Sequence, residues 1–307
     1  MGPMEPVEID DPDLADAEPL VEFPETDPQA STFDPELTAS IAPQKIGAQG
    51  YWWWGTYEVE GERAYIEVPS SSTCFLQGVT GELQSADGSS IPARVTVDID
   101  SSRGEWFIET DAGQADADGD GGSGLIAHVT CIETAKNRFK IIWDGNTNSG
   151  PNTTNSWVPR LPDSRCFLTE VRGTVGWTSE DSFVNLYESK RGSLPTWELD
   201  GNLVTEQDGS AGGGAKAYCV QVPYEISPNY SWTAPPTSGA TQLTNTTKRV
   251  TCSVQRLQGN FASNPIGIWD GMRIYPGSVD GADRWFIAGA GSKQIGGECI
   301  QRPTLPF

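Results

Sequence analysis

Cys74-Phe-Leu-Gln-Gly-Val-Thr-Gly81 decides how this chain is read, because the chain repeats it. Cys166-Phe-Leu-Thr-Glu-Val-Arg-Gly173 is a second copy, and Cys252-Ser-Val-Gln-Arg-Leu-Gln-Gly259 is a looser third. Each copy opens a frame that another cysteine closes: Cys131, Cys219 and Cys299. Within each frame stands a tryptophan, Trp106, Trp197 or Trp285, lying 25, 24 and 26 residues after the glycine. A further tryptophan precedes each frame: Trp54, Trp143 and Trp232. A fixed order of cysteine, tryptophan and cysteine in three copies is the signature of a repeated structural unit.

Working outward, the folded part begins near Ile46 and is rich in Gly, Thr, Ser and Trp, with turn signals about every 8–12 residues and almost no helical periodicity. Val95, Val97 and Ile99 alternate with polar neighbours, as do Leu125, Ala127, Val129 and Cys131. A period of two marks half-buried strands. The fold class is therefore all-β: three tandem, disulfide-closed, antiparallel β-sandwich-like repeats after a disordered acidic N-terminal segment. The boundaries read as 1–45 for the acidic tether, 46–134 for repeat 1, 135–222 for repeat 2 and 223–307 for repeat 3. The alternative architecture is a single pseudo-threefold body in which the repeats share a core.

The repeat logic pairs Cys74 with Cys131, Cys166 with Cys219 and Cys252 with Cys299. Small units gain from such staples. Three matched cysteine pairs point to an oxidising compartment. Zinc is disfavoured, since there is no Cys-x-x-Cys and only one histidine. The N-terminus shows no signal peptide, so the chain reads as a mature extracellular or cell-surface form. No apolar run is long enough to span a membrane.

Residues 1–45 hold 12 acidic residues, one basic residue and eight prolines. Such a stretch cannot bury enough surface to offset its ordering entropy and reads as a self-repelling spacer or a docking peptide. The whole chain carries a formal charge of −22, which excludes a nucleic-acid partner.

Four candidate sites arise. Asp111, Asp116, Asp118 and Asp120 could gather a calcium ion through carboxylate oxygens, although no glutamate closes an EF-hand pattern; no other cofactor is implied. Trp52, Trp53, Trp177, Tyr187, Trp269 and Tyr275 could stack on sugar rings or on a partner protein. Tyr187 and Tyr275 each lie ten residues before the tryptophan of their repeat, and Thr96 holds that place in repeat 1. His128, the only histidine, falls on the outward side of its strand and reads as a surface residue. No catalytic residue is nominated: no nucleophile elbow, redox thiol pair or nucleotide loop occurs.

The pattern Cys-Phe-Leu-x-x-Val-x-Gly, an alternating strand, Trp-x-Leu and a closing cysteine resembles tandem β-modules of secreted or surface proteins of environmental, myxobacteria-like bacteria. The resemblance covers about residues 50–303 and implies a surface or fibre-like role with no catalytic residue to carry over. Repeat 3 departs from it, with Ser253 in place of phenylalanine. The expected function is an adhesin-like or fibre-associated binding and structural protein whose ligand is a glycan or a protein. Alternatives are a homo-oligomeric subunit of an extracellular filament and a secreted glycan-acting hydrolase.

Overall fold

Repeat 1 supplies β1 (Gln44–Ile46), β2 (Trp52–Tyr57), β3 (Arg63–Ile66), β4 (Ser72–Thr80), β5 (Ala93–Asp100), β6 (Glu105–Asp111) and β7 (Ile126–Glu133). Repeat 2 supplies β8 (Arg138–Asp144), β9 (Trp157–Pro159), β10 (Ser164–Gly173), β11 (Phe183–Arg191), β12 (Leu194–Asn202) and β13 (Gly214–Gln221). Repeat 3 supplies β14 (Tyr230–Thr233), β15 (Gly239–Thr244), β16 (Val250–Gln258), β17 (Gly271–Val279), β18 (Ala282–Gly289) and β19 (Gln294–Gln301). These strands come from a computed structural model that describes residues 44–46, 52–57, 63–66, 68, 72–80, 83, 93–111, 125–133, 138–144, 156–162, 164–173, 182–202, 213–221, 230–233, 239–244, 250–259, 271–279, 282–289 and 294–301. The acidic segment, apart from the start of β1, lies outside the described residues. The described residues contain strands and no helix, so the all-β reading holds.

The strands form three antiparallel sheets, and no sheet belongs to one repeat. Sheet I runs β1-β2-β7-β4-β17-β18-β15, sheet II runs β3-β6-β5-β10-β13-β8, and sheet III runs β14-β19-β16-β11-β12-β9. In each, the opening and closing strands of one repeat join the middle hairpin of another. Repeat 1 joins repeat 3 in sheet I, repeat 2 joins repeat 1 in sheet II, and repeat 3 joins repeat 2 in sheet III. The three sheets are cyclic permutations of one pattern, within one compact unit spanning Thr38–Phe307.

The motif explains this join. Its cysteine opens β4, β10 or β16 opposite the closing cysteine, and the cross-strand disulfides are Cys74–Cys131, Cys166–Cys219 and Cys252–Cys299. Such bridges persist in oxidising compartments, which points to an extracellular protein. No helix among the described residues is long and apolar enough to cross a membrane. Three residues after each opening cysteine the ladder breaks at a bulge, at Gln77, Thr169 and Gln255. A bulge inserts one extra residue and resets the alternation. Cys74 and Leu76 before it and Val79 after it therefore all face the core. Val79, Val171 and Leu257 then sit opposite Met272, Val95 and Val184 at the three seams between repeats.

Within each repeat the tryptophan strand packs on the opening strand of another sheet. Trp106 Nε1 donates to the Ser72 carbonyl at 3.0 Å, and Trp285 Nε1 donates to the Val250 carbonyl at 2.9 Å. Both indoles, and Trp197, are buried, with Ile108, Leu199 and Ile287 inward two residues on. Burial of such side chains stabilises by about 1.5–3 kcal/mol each.

A second, smaller apolar cluster joins the repeats on the opposite face of the opening and closing strands: Phe75, Ile132, Phe167, Val220 and Ile300. Phe75 and Phe167 stack with ring centroids 4.2 Å apart. Ser253 occupies the equivalent place in repeat 3. On the opening and closing strands this second face is covered, which corrects the placement of His128. It does point away from Ala127 and Val129, yet it is only 7% exposed. Alternation gives the side of a strand, not whether that side meets water.

Candidate functional site

The repeated residues build the frame; the residues that differ among repeats lie on the second faces of the three sheets. Seam register aligns Asp98, Tyr187 and Tyr275 as one structural position, three residues beyond Val95, Val184 and Met272. The sequence count placed Thr96 there. The β5–β6 hairpin carries two fewer residues between this position and its tryptophan, so the count from Trp106 overshoots by two. One position thus carries three chemistries.

On sheet II, Asp98 accepts a hydrogen bond from the Tyr218 hydroxyl at 2.6 Å and pairs with Lys140 at 3.0 Å. Burial works to raise the Asp98 pKa, but the bonds from Tyr218 and Lys140 outweigh it and hold the carboxyl below its usual range. Tyr218 is pushed up to about 12 by burial and by Asp98. Around them Glu109 pairs with Arg63 and Arg94, and Glu170 pairs with Lys216. This face is a lattice of paired charges.

On sheet I, the Arg273 guanidinium lies 4.5 Å from the centre of the Tyr275 ring, and Tyr275 stacks on Phe286 at 5.7 Å. Thr80 Oγ1 lies 3.2 Å from His128 Nε2. Burial, with Arg273 nearby, pushes the His128 pKa down to about 3.

On sheet III, Trp157, Glu198 and Tyr187 form a cross-strand row over β9, β12 and β11. Asp200, Asn185 and Arg256 form the next row. The sequence dictates this: Trp197 and Leu199 point inward, so Glu198 and Asp200 point to the second face, opposite Tyr187. The Tyr187 hydroxyl lies between the two carboxylates, 3.1 Å from Asp200 Oδ2 and 3.4 Å from Glu198 Oε2. Arg191 Nε holds Glu198 at 3.1 Å, and its guanidinium lies 4.9 Å from the centre of the Trp157 ring. Thr196 donates to the same Glu198 oxygen at 3.1 Å. Asp200 Oδ1 has no hydrogen-bond partner among the described residues. Burial, then the charge of Asp200, raises the Tyr187 pKa. Burial also raises that of Asp200, against the bond from Tyr187. The arrangement is a half-buried aromatic surface edged by hydrogen-bonding groups, with Tyr187 held as a proton donor.

Of the sequence candidates, Tyr187 lies in this cluster and Tyr275 on the aromatic face of sheet I. Trp52 and Trp53 lie on β2, opposite Ile132 and Cys131. Trp177, Trp269, Asp116, Asp118 and Asp120 lie outside the described residues. Asp111 is 3.8 Å from Arg94 Nε. No group of three or more potential metal ligands occurs among the described residues. Glu198, Asp200, Trp157 and Arg191 were missed, although the alternation in Trp197-Glu-Leu-Asp200 put both carboxylates on the side of Tyr187.

One asymmetry ties repeat 2 to repeat 3. Arg165 stands where the other repeats have Thr73 and Thr251, and its Nη1 donates to the Ser164 carbonyl at 2.9 Å. That carbonyl is the counterpart of those that accept from Trp106 and Trp285. Trp197 Nε1 has no hydrogen-bond partner among the described residues. Arg165 in turn reaches Glu298 at 3.3 Å and Glu188 at 3.4 Å. Burial raises the Glu298 pKa to about 7 against the pull of Arg165.

No family model, curated protein or solved structure matches the chain.

Proposed function

We propose that this is an extracellular or cell-surface binding and structural protein, adhesin-like in character, that holds a glycan on the second face of sheet III. The observation that carries this reading is the Trp157–Glu198–Tyr187 row with Asp200 beside it. Sugar rings pack on aromatic faces while their hydroxyls need placed acceptors and donors. Tyr187, Asp200 and Asn185 supply both kinds, and the Tyr187 hydroxyl is placed between two carboxylates. The shared sheets of the three repeats carry the row, and the disulfides suit an extracellular setting. The charge of −22 agrees with a ligand other than nucleic acid.

A glycan array probed with the intact chain tests the reading. Binding to a defined set of glycans, weakened by Tyr187→Phe, is the expected result; an array without a single hit would falsify it.

A further inference from the structure

We propose that Arg165 positions the Trp157–Glu198–Tyr187 row from the opposite side of sheet III, and that Glu298, by competing for it, makes ligand binding on the row respond to pH. The ligand half of this rests on the glycan reading; the positioning half stands without it. Tyr187 and Glu198 are cross-strand partners, and so are the next pair, Glu188 and Trp197. Alternation turns that second pair to the opposite face. There both meet Arg165. Its Nη1 lies 3.4 Å from Glu188 Oε1, and its guanidinium lies 5.9 Å from the centre of the Trp197 ring. Glu188 Oε1 also takes Arg160 Nε at 3.1 Å. Arg160, just past β9, donates its backbone N–H to the Pro195 carbonyl at 2.9 Å. Each residue of the row thus has a close neighbour in sequence that this network holds.

The network departs from the repeat. Trp106 and Trp285 are fixed by the carbonyls of Ser72 and Val250. In repeat 2 the Arg165 guanidinium takes the equivalent carbonyl, and a fixed neutral bond gives way to a charged contact. The exchange falls under the strand pair that bears Tyr187 and Glu198. Glu298 departs too: Thr130 and Tyr218 hold its place before the closing cysteines of the other repeats. It draws Arg165 Nε to 3.3 Å of its Oε1.

Arg165 and Glu298 are both buried. Among the described residues the charged groups facing Glu298 are Arg165 of β10, Glu188 of β11 and Arg160; β16 sets Ser253 opposite it. Burial lifts the Glu298 carboxyl to about 7 against the pull of Arg165. Above that pH the carboxylate holds Arg165, and the chain Glu298–Arg165–Glu188–Arg160 ties β19 to the row. Below it the carboxyl is neutral, and Arg165 is left to Glu188. A ligand that needs the tied, pre-organised row therefore binds better above this pH than below it.

The test reads the row without a ligand. Tyrosines are labelled with carbon-13, and the Tyr187 signal is identified by its loss in Tyr187→Phe. In a pH titration by NMR that signal should step near pH 7, and Glu298→Gln should abolish the step. Tyr275, on sheet I, should show none. No step in Tyr187, a step that survives Glu298→Gln, or an equal step in Tyr275 overturns the inference. Affinity is the second arm. The best glycan of the array should bind the unaltered chain about fivefold tighter one pH unit above the midpoint than one unit below, the lower end of ordinary coupling between sites. Glu298→Gln should bind at the weaker level at both. Equal affinity at the two values overturns the inference and leaves the glycan reading standing. An array without hits sinks the glycan reading, and the Tyr187 titration still decides the positioning.

Discussion

Gln77 donates from Nε2 to the Cys252 carbonyl oxygen at 3.1 Å, across 175 residues of sequence. The equivalent bulged residue of repeat 3, Gln255, donates to the Cys166 carbonyl at 3.1 Å. Each bond runs from the bulge of one repeat to the opening cysteine of another, so the repeats are locked where their motifs meet.

Gln77→Ala therefore leaves a buried carbonyl without its donor. The expected cost is about 1–3 kcal/mol. Because the sheets are shared, calorimetry should show one cooperative transition moving down as a whole. Separate transitions for the repeats, with only one displaced, would contradict the shared frame.

Ser253→Phe restores the motif residue that repeat 3 lacks, beside the stacked pair Phe75 and Phe167. Ser253 is already 1% exposed, so a third ring has no room. Overpacking of this kind costs about 1–3 kcal/mol. Chemical denaturation should report lower stability, and a gain would show that the cluster holds unused space.

Arg165→Thr gives repeat 2 the residue type of its counterparts and returns the Ser164 carbonyl to Trp197. It also strips buried Glu298 of its nearest cation. A loss of about 3–5 kcal/mol is expected above neutral pH. Adding Glu298→Gln should recover much of it, and a double-mutant cycle measures the coupling. Additive effects would show that the two residues do not interact.

Two buried groups give opposite pH dependences. The folded-state pKa of His128, about 3, lies below its unfolded value. Its neutral form is favoured, so its contribution is present above the unfolded pKa and is lost as pH falls from about 6.5 towards 3. The folded-state pKa of Glu298, about 7, lies above its unfolded value. Its contribution is present below about 4.5 and is lost as pH rises through about 7. In denaturant titrations over this range, His128→Gln should flatten the acid limb and Glu298→Gln the neutral limb, each by a few kcal/mol. Unchanged slopes in both variants would contradict these assignments.

The repeat, the strand class and the cysteine pairs were legible because each is a local pattern: a motif, a period of two, a spacing. The sharing of sheets was not, since the residues that meet at a seam, Val79 and Met272 for example, carry no mark of each other. His128 was misplaced for the same reason: its face is covered by other repeats. Tyr187 was found as an outward aromatic, but its alignment with Asp98 rather than Thr96 depended on hairpin length, which only the register reveals. Glu198 and Asp200 were readable from alternation beside Trp197, and were passed over because acidic residues are so common in this chain.

The central claim, that the second face of sheet III holds the ligand, is tested most directly by titration calorimetry. The best glycan from the array is titrated into the unaltered chain, Trp157→Ala and, as a control on sheet II, Lys140→Ala. The account predicts a loss of about tenfold in affinity for Trp157→Ala, the worth of one aromatic stacking contact, and none for Lys140→Ala. Unchanged affinity in Trp157→Ala, or an equal loss in Lys140→Ala, would contradict it.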